Sequence, residues 1–329
     1  MNNKNIFKGE KSIFNYLTPG SLGPTPLVEL PERLNPYKKD GAHIYIKLVE
    51  TAPLANIKSI PAWYMLKAIP KMELKKINDL VEYSSGNMAL SLTILSKHFG
   101  IPKMHTIITP DVPKNKQNLL KLLGTDLIIS NGPSCPDVRA EVGGVWEAAQ
   151  MGKKSGWKNL GQYSNQNIPK GTGQTIGGEI FKQLGNKLDI FCASIGTSGT
   201  VFGISSYLKN KIPKLYVVAV SAKKGSSIPG PRGEDQVKKL YFPWSNTVDL
   251  EFPVNTQDAF GMSLKLIREG IFVGPSSGMQ LKAILEVLKK MKKEKKLKKN
   301  TNAVILGCDT MFPYIEDYFK VLPEILEKK

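Results

Sequence analysis

Lys58 stands between a predicted strand over residues 43–49 and a predicted helix over residues 59–71. The N-terminus of a helix carries partial positive charge, so an ammonium group there is disfavoured and the pKa of its amine falls. A neutral amine can attack a carbonyl and form an imine. A surface lysine that happens to precede Pro61 explains this segment equally well.

Three further segments rich in glycine or serine also lie between a predicted strand and a predicted helix, at residues 84–90, 196–200 and 274–278. Main-chain N–H groups converge at such turns and bind anions. Taken alone, Ser84 or Ser85 would simply cap a helix. The Gly-Thr-Ser-Gly-Thr of residues 196–200 instead has the composition of a phosphate site. The shared placement of these turns and the lysine turn predicts a ligand site.

Segments of strand length alternate with segments of helical period along the chain. Predicted strands cover residues 43–49, 80–83, 104–109, 127–130, 188–193, 215–221, 271–273 and 303–306. Predicted helices cover residues 59–71, 87–99, 114–123 and 138–153, and others begin near residues 200, 257 and 277. This alternation predicts an α/β fold of two doubly wound lobes with parallel sheets, in which ligands bind at the carboxyl ends of the strands.

The composition argues against several other classes of protein. The three cysteines, Cys135, Cys192 and Cys308, are far apart, which fits a reducing, cytoplasmic compartment and argues against a disulfide framework. Three scattered histidines form no cluster of ligands, so we expect no metal site. Residues 1–20 do not have the continuous apolar core of a signal peptide, and no later stretch approaches the roughly 20 apolar residues of a membrane span.

The chain has 46 basic and 28 acidic residues, a net charge of +18. Much of the excess lies in the lysine-rich run of residues 289–299. No aromatic residues interleave these lysines, as a stacking surface for nucleic acid would require. A solvated helix end is therefore favoured over a nucleic-acid site.

With these motifs in this order, the chain resembles the fold-type-II pyridoxal-phosphate enzymes, most closely the branch of cysteine synthase and cystathionine β-synthase. The resemblance covers nearly the whole chain, from residues 23–28, which are similar to the family's opening G-N-T-P-L-V, to the Cys-Asp-Thr of residues 308–310. The family motifs N-P-x-G-S-x-K-D-R, T-S-G-N-T-G, G-T-G-G-T and G-I-S-S-G fall on residues 52–60, 84–89, 196–200 and 274–278. The implied fold is similar to the tryptophan synthase β subunit. Residues 1–43 and 152–329 would form a large cofactor-binding lobe, and residues 44–151 a small mobile lobe with the substrate loop.

The resemblance also implies roles for individual residues. Lys58 would carry pyridoxal 5'-phosphate as a Schiff base and act in catalysis, Asn87 would bind the ring hydroxyl, and Ser276 would face the ring nitrogen. The cofactor phosphate would be held by Gly196, Thr197, Ser198, Gly199 and Thr200. The substrate would be bound by Ser84, Ser85, Gly86, Asn87 and Gln162.

Several positions depart from the family motifs. In the lysine motif, Ala52 replaces the asparagine, Ala55-Asn56 replaces Gly-Ser, and Ser59-Ile60 replaces Asp-Arg. In the substrate loop, Met88 replaces a threonine and Ala89 replaces a glycine. Cofactor binding tolerates these changes better than the identity of the substrate does.

The resemblance implies a transferase or lyase that replaces the β-substituent of an activated serine, O-acetylserine or O-phosphoserine, through an aminoacrylate. Two alternatives stay open. One is another β-replacement or elimination, as in a diaminopropionate-type synthase or a serine/threonine dehydratase, and the other is a non-catalytic relative that binds the cofactor in a regulatory role. The expected partners are a small amino-acid substrate and a second copy of the chain in a homodimer, without membrane or nucleic acid. Arg232 is a candidate contact for the leaving group, although a surface turn explains residues 225–235 better.

Overall fold

Two sheets organise the structure, a computed structural model that describes residues 5–327. The strands are β1 (Leu27–Glu29), β2 (Ala42–Leu48), β3 (Asp79–Tyr83), β4 (Lys103–Ile108), β5 (Asp126–Ile129), β6 (Trp157–Asn159), β7 (Leu188–Ser194), β8 (Tyr216–Ala222), β9 (Leu250–Val254) and β10 (Thr301–Gly307). The α-helices are α1 (Ser12–Leu17), α2 (Ser59–Lys67), α3 (Lys71–Leu74), α4 (Asn87–His98), α5 (Lys114–Leu122), α6 (Gly143–Met151), α7 (Asn167–Thr172), α8 (Gly178–Leu184), α9 (Gly199–Lys211), α10 (Thr256–Arg268), α11 (Pro275–Lys293), α12 (Ile315–Val321) and α13 (Glu324–Glu327).

The larger sheet has the strand order β1-β2-β10-β7-β8-β9. It is parallel except for β1, which pairs antiparallel with β2. The smaller sheet has the order β5-β4-β3-β6 and is parallel throughout. The predicted α/β fold with two parallel-sheet lobes is confirmed.

The central strands of the larger sheet are buried on both faces. Every residue of β10 is buried, and its alternate side chains enter two different hydrophobic clusters. Val304 packs in the cluster that includes Ile204 of α9, whereas Ile305 packs in the cluster that includes Ile284 of α11. A parallel strand with apolar side chains on both faces needs helices on both sides of its sheet. The continuous apolar run therefore explains why α9 and α11 flank the sheet.

Two sequence predictions of local structure are wrong. Residues 271–273 form no strand, because Val273 makes only an isolated bridge to Thr310. The helix predicted to begin at residue 138 begins at Gly143, since Val142 is extended and Gly143 has a φ of 75°. A positive φ is favourable only for glycine, so the chain turns there before the helix starts.

The sheets divide the chain somewhat differently from the expected lobe boundaries. The boundary between residues 43 and 44 falls inside β2, which belongs to the larger sheet. β6 follows residue 152 but joins the smaller sheet beside β3. The smaller sheet thus spans residues 79–159, and the assignment of segments to a large lobe and a small mobile lobe stays a prediction.

Within residues 5–327, no helix combines the length and apolar character needed to cross a bilayer.

Candidate active site

One cavity of about 850 Å³ opens at the carboxyl ends of strands from both sheets. Its wall includes Ser84 after β3, Thr109 after β4, Gln162 beyond β6, Gly196 beyond β7 and Ala222 at the end of β8. The predicted site residues in this wall are Lys58, Ser84, Ser85, Gly86, Asn87, Gln162, Gly196 and Thr197. The other four, Ser198, Gly199, Thr200 and Ser276, lie behind the wall and are buried. Residues separated by more than a hundred positions are thus brought to one site at the expected edge of the sheets.

The turn before Lys58 is held by Asn56. Leu54 and Ala55 have φ values of 68° and 51°, in the left-handed region that costs energy for residues other than glycine. Asn56 Nδ2 donates to the Leu54 carbonyl at 2.7 Å, and Asn56 Oδ1 accepts from Lys58 N at 2.9 Å. Asn56 Oδ1 also accepts from Ser91 Oγ at 3.1 Å. The asparagine that replaces a family serine therefore fixes the main chain that presents Lys58, a role the sequence did not reveal.

The Lys58 side chain is half-buried in the cavity wall. Burial lowers the pKa of Lys58, and the nearby acidic groups of Cys308 and Asp309 oppose that shift. A Cβ added at Gly196 would lie 3.9 Å from Lys58 Nζ and 3.2 Å from the Gly230 carbonyl oxygen. The absence of a side chain at Gly196 thus leaves space between the amine and this wall, and burial favours the neutral, nucleophilic form of the amine.

The loop before α4 presents main-chain N–H groups and Asn87 to the cavity. Ser84 Oγ accepts long hydrogen bonds of 3.4 Å from the N–H groups of Gly86 and Ala89. Asn87, the first residue of α4, donates from Nδ2 to Asp309 Oδ2 at 2.5 Å. The positive end of a helix of this length favours an anion at this loop.

The loop at residues 196–200 has the features of an anion site. Ser198 adopts a φ of 65°, and α9 begins at Gly199. The first N–H groups of a helix have no partner within the helix. Thr200 Oγ1 is buried and has no hydrogen-bond partner within residues 5–327. A buried hydroxyl without a partner is costly, so a ligand with acceptor oxygens suits this helix start.

Ser276 lies in the first turn of α11 beside Cys308. Burial raises the pKa of Cys308 to about 11 and the charge of Asp309 adds to this, whereas hydrogen bonds from Gln280 and Ser276 act in the opposite direction. Gln280 Nε2 is 3.3 Å from Cys308 Sγ. Cys308 is therefore a neutral thiol near pH 7, and the uncharged Ser276–Cys308 pair has no acid that could protonate a ring nitrogen.

Gln162 is held by Glu82, a residue that sequence reasoning missed. Glu82 is 2% exposed and lies at the end of β3. Its Oε2 accepts from Gln162 N at 3.2 Å and its Oε1 from Tyr83 N at 3.1 Å. Burial raises the pKa of Glu82 to about 7, although these N–H groups and those of Asn159 and Gly161 favour the charged form. The only sequence signal was a carboxylate inside an apolar strand.

Arg232 reaches the cavity with uncharged partners. Its guanidinium donates to Tyr163 OH, and its Nη1 donates to Ser134 Oγ at 3.2 Å. Tyr83 OH donates to the same Ser134 oxygen at 3.1 Å. Arg232 takes part in none of the ion pairs within residues 5–327, so no described carboxylate neutralises it. A guanidinium without a counter-ion in a cavity wall can bind an anionic group of a ligand.

These features fit pyridoxal phosphate. The buried amine of Lys58 can form an imine, the start of α9 with its unpaired Thr200 hydroxyl suits a phosphate, and Asn87 offers a polar contact to the ring. Among residues 5–327, no three His, Cys, Asp or Glu side chains come together as metal ligands would.

The chain matches known proteins over most of its length. Residues 19–309 match the family described as "Pyridoxal-phosphate dependent enzyme". Cysteine synthase B of Pseudomonas aeruginosa is 30% identical over 292 residues, which cover 88% of this chain and 92% of that protein. Cysteine synthase B of Escherichia coli is 28% identical over 274 residues, covering 82% and 86%. The crystal structure of an O-acetylserine-dependent cystathionine β-synthase from Helicobacter pylori has a TM-score of 0.74 at 22% identity, over 89% of this chain and 95% of that one, and shows the shared fold. The chain therefore belongs to the pyridoxal-phosphate-dependent enzymes of fold type II.

Proposed function

We propose that this enzyme replaces the β-substituent of an activated serine, O-acetylserine or O-phosphoserine, with pyridoxal phosphate attached to Lys58. The observation that carries the proposal is the position of Lys58 in one cavity with the Ser84–Asn87 loop and Gln162. Two relatives named cysteine synthase B, similar over more than four fifths of this chain, support a β-replacement.

The residues that would hold the cofactor surround this lysine. Lys58 would bind its aldehyde carbon, Asn87 its ring hydroxyl and Ser276 its ring nitrogen, and its phosphate would be held by Gly196, Thr197, Ser198, Gly199 and Thr200. The bound cofactor withdraws electrons from the α-carbon of the attached amino acid. Because Ser276 is neutral, the ring nitrogen is not expected to be protonated, which favours loss of a β-substituent over reactions that need a longer-lived carbanion.

Lys58 would also move the proton. Burial holds the pKa of its amine below the ordinary value, which favours the neutral form that can accept the α-proton on Nζ after release from the cofactor.

The substrate carboxylate would bind at the start of α4. Ser85 and Gly86 line the cavity at the positive end of this helix, and within residues 5–327 the Gly86 N–H makes only a long hydrogen bond of 3.4 Å to Ser84 Oγ. Gln162, on the loop beyond β6, lines the same cavity and is held by Glu82. Together these groups orient the α-carbon next to Lys58 Nζ.

Arg232 favours a substrate whose β-substituent is already anionic before it leaves. O-phosphoserine carries a phosphate that a guanidinium can bind through two hydrogen bonds, whereas the acetyl group of O-acetylserine offers one neutral acceptor. We expect Arg232→Ala to lower kcat/KM for O-phosphoserine by about 10- to 100-fold and to affect O-acetylserine much less. Equal losses with both substrates would remove this argument for the phosphate ester.

The function is tested with purified protein, pyridoxal phosphate, sulfide and each activated serine. We expect cysteine as the product, with no product from Lys58→Ala although that variant stays folded by circular dichroism. If the wild-type protein binds the cofactor but releases no cysteine from either substrate, the β-replacement with sulfide is wrong.

Met88 favours a second candidate, a β-replacement with an amine nucleophile or an elimination. Met88 lines the cavity and is 2% exposed, so the loop lacks the hydroxyl that the family motif places there. Product analysis with ammonia or amino acids in place of sulfide tests this candidate: a diamino acid or a keto acid as main product would favour it over cysteine synthesis.

We also propose that the chain forms a homodimer in the cytoplasm. An exposed apolar patch supports a second copy, because Phe272 and Phe312 are 52% and 62% exposed with ring centres 6.4 Å apart, and Ile315 is 44% exposed. Three free cysteines fit a reducing compartment. Light scattering should give twice the chain mass of 36.4 kDa, and Phe312→Ser should weaken the dimer; a wild-type monomer would contradict the proposal.

A further inference from the structure

A hydrogen bond joins the two sheets at the wall of the cavity. Asp309 follows β10 of the larger sheet, and Asn87 begins α4 next to the smaller sheet. The two residues are 222 positions apart in sequence, and Asn87 Nδ2 lies 2.5 Å from Asp309 Oδ2. Within the described residues, the Asn87 side chain makes no other hydrogen bond.

Asp309 is itself firmly placed. Tyr314 OH donates to Asp309 Oδ2 at 2.6 Å, and Gly274 N donates to the Asp309 carbonyl at 3.0 Å. A Cβ at Gly274 would lie 2.4 Å from Asp309 Oδ1. The carboxyl group can therefore occupy this position only because residue 274 has no side chain. Asp309 is 4% exposed, and its Oδ1 has no hydrogen-bond partner within residues 5–327. The carboxyl group is thus fixed without a partner of opposite charge in hydrogen-bond contact.

This arrangement determines how the Asn87 carboxamide is turned. A carboxamide has two N–H donors on one side and an acceptor oxygen on the other. The oxygens of an ionised carboxylate only accept hydrogen bonds, so Asp309 Oδ2, which accepts from Tyr314 OH, also takes the Nδ2 side of Asn87. One N–H is used there, and the second N–H remains for an acceptor in the cavity that Asn87 lines.

We propose that Asp309 is a positioning residue for the cofactor: it orients the carboxamide of Asn87 so that this side chain offers an N–H donor to the ring oxygen of pyridoxal phosphate. The inference rests on the proposed function, in which Asn87 binds the ring hydroxyl. Asp309 acts through Asn87 and does not itself touch the cofactor.

The test is a double-mutant cycle on cofactor affinity, measured by equilibrium dialysis of apoprotein against pyridoxal phosphate. In the wild-type background we expect Asp309→Ala to weaken binding by about 10- to 100-fold, since a charged acceptor is lost. Asp309→Asn keeps an acceptor without the charge and should lose only about 3- to 10-fold. In the Asn87→Ala background neither change should alter the affinity by more than about 2-fold, because the side chain that Asp309 orients is gone.

Glu50→Gln is the matched control. Glu50 is a second buried carboxyl group close to Asp309, with a pKa raised to about 7 by burial and by the Asp309 charge, but it makes no hydrogen bond to Asn87. Its effect on affinity should be the same with and without Asn87. Thermal melting of each apoprotein checks folding, and Asp309→Asn carries the test if Asp309→Ala does not fold.

The outcomes separate this inference from the proposed function. If wild-type apoprotein does not take up pyridoxal phosphate in a Lys58-dependent way, the proposed function fails. If uptake is normal and the losses from Asp309 and Asn87 substitutions are additive, the positioning role is overturned and the function is untouched.

Discussion

Gln162 Nε2 donates a hydrogen bond of 2.7 Å to the main-chain carbonyl of Tyr83. The loop beyond β6 is thereby tied to the end of β3, directly beside the Ser84–Asn87 loop. This contact holds the side chain of Gln162 at the wall of the cavity that the Ser84–Asn87 loop also lines. The two segments assigned to the substrate carboxylate thus form one structural unit.

A Gln162→Ala substitution should therefore act on the substrate and leave the cofactor in place. We expect KM for the amino-acid substrate to rise by about 10-fold, as for loss of a hydrogen bond to a charged group, with little change in the affinity for pyridoxal phosphate. Steady-state kinetics and cofactor titration of the same preparation measure the two effects. A loss of cofactor affinity as large as the rise in KM would mean that Gln162 supports the whole site instead.

Glu82 makes the stability of the fold depend on pH. Its folded-state pKa of about 7 lies above its ordinary value of 4.5, so the folded state prefers the protonated carboxyl. The resulting stabilisation is complete below pH 4.5 and is lost as the pH rises towards 7. Each pKa unit corresponds to about 1.4 kcal/mol, which gives a loss of about 3 kcal/mol.

Glu82→Gln removes this titration. The free energy of unfolding of the variant, minus that of the wild type, should rise by up to about 3 kcal/mol between pH 4.5 and 8. Urea unfolding curves at several pH values measure it. A difference that is constant across this range would show that the carboxyl of Glu82 is not perturbed.

Lys47, on β2 of the larger sheet, forms an ion pair with Glu179 of α8. Lys47 Nζ is fully buried and lies 2.7 Å from Glu179 Oε2, with further bonds to the Thr25 carbonyl at 2.7 Å and to Gln183 Oε1 at 2.8 Å. Lys47→Met leaves the Glu179 carboxylate without its cation, so we expect about 3 kcal/mol of destabilisation. Adding Glu179→Gln should recover part of the lost free energy of unfolding. If the loss in the double variant instead equals the sum of the losses in the two single variants, the two residues do not stabilise each other.

Sequence reasoning identified the elements that rest on local signals. β2, β3, β4, β7, β8 and β10 are segments of strand length rich in apolar residues, and the four turns are marked by lysine, glycine or serine at fixed offsets. β1, β6 and β9 are edge strands that escaped notice: β1 and β6 have only three residues each, and Glu251 and Pro253 interrupt the apolar residues of β9. The strand predicted at residues 271–273 is apolar but has no neighbouring strand to pair with along its length.

The supporting residues of the site could not be read from the sequence. Asn56 looked like the loss of a family serine, yet it fixes the turn before Lys58 through contacts two residues away in sequence and through Ser91. Asp309 gains its role from a contact with Asn87 that only the packing of the two sheets creates. The reactive groups therefore carry a local signature, whereas the residues that hold them depend on long-range geometry.

Borohydride reduction followed by peptide mass mapping shows directly whether Lys58 carries the cofactor. Protein incubated with pyridoxal phosphate is reduced, digested and examined for the pyridoxyl group on each lysine peptide. We expect stoichiometric modification of Lys58, lost in Lys58→Ala, because burial lowers the pKa of its amine and so favours the neutral, nucleophilic form. Modification spread over the surface lysines, or concentrated on another lysine, would contradict it.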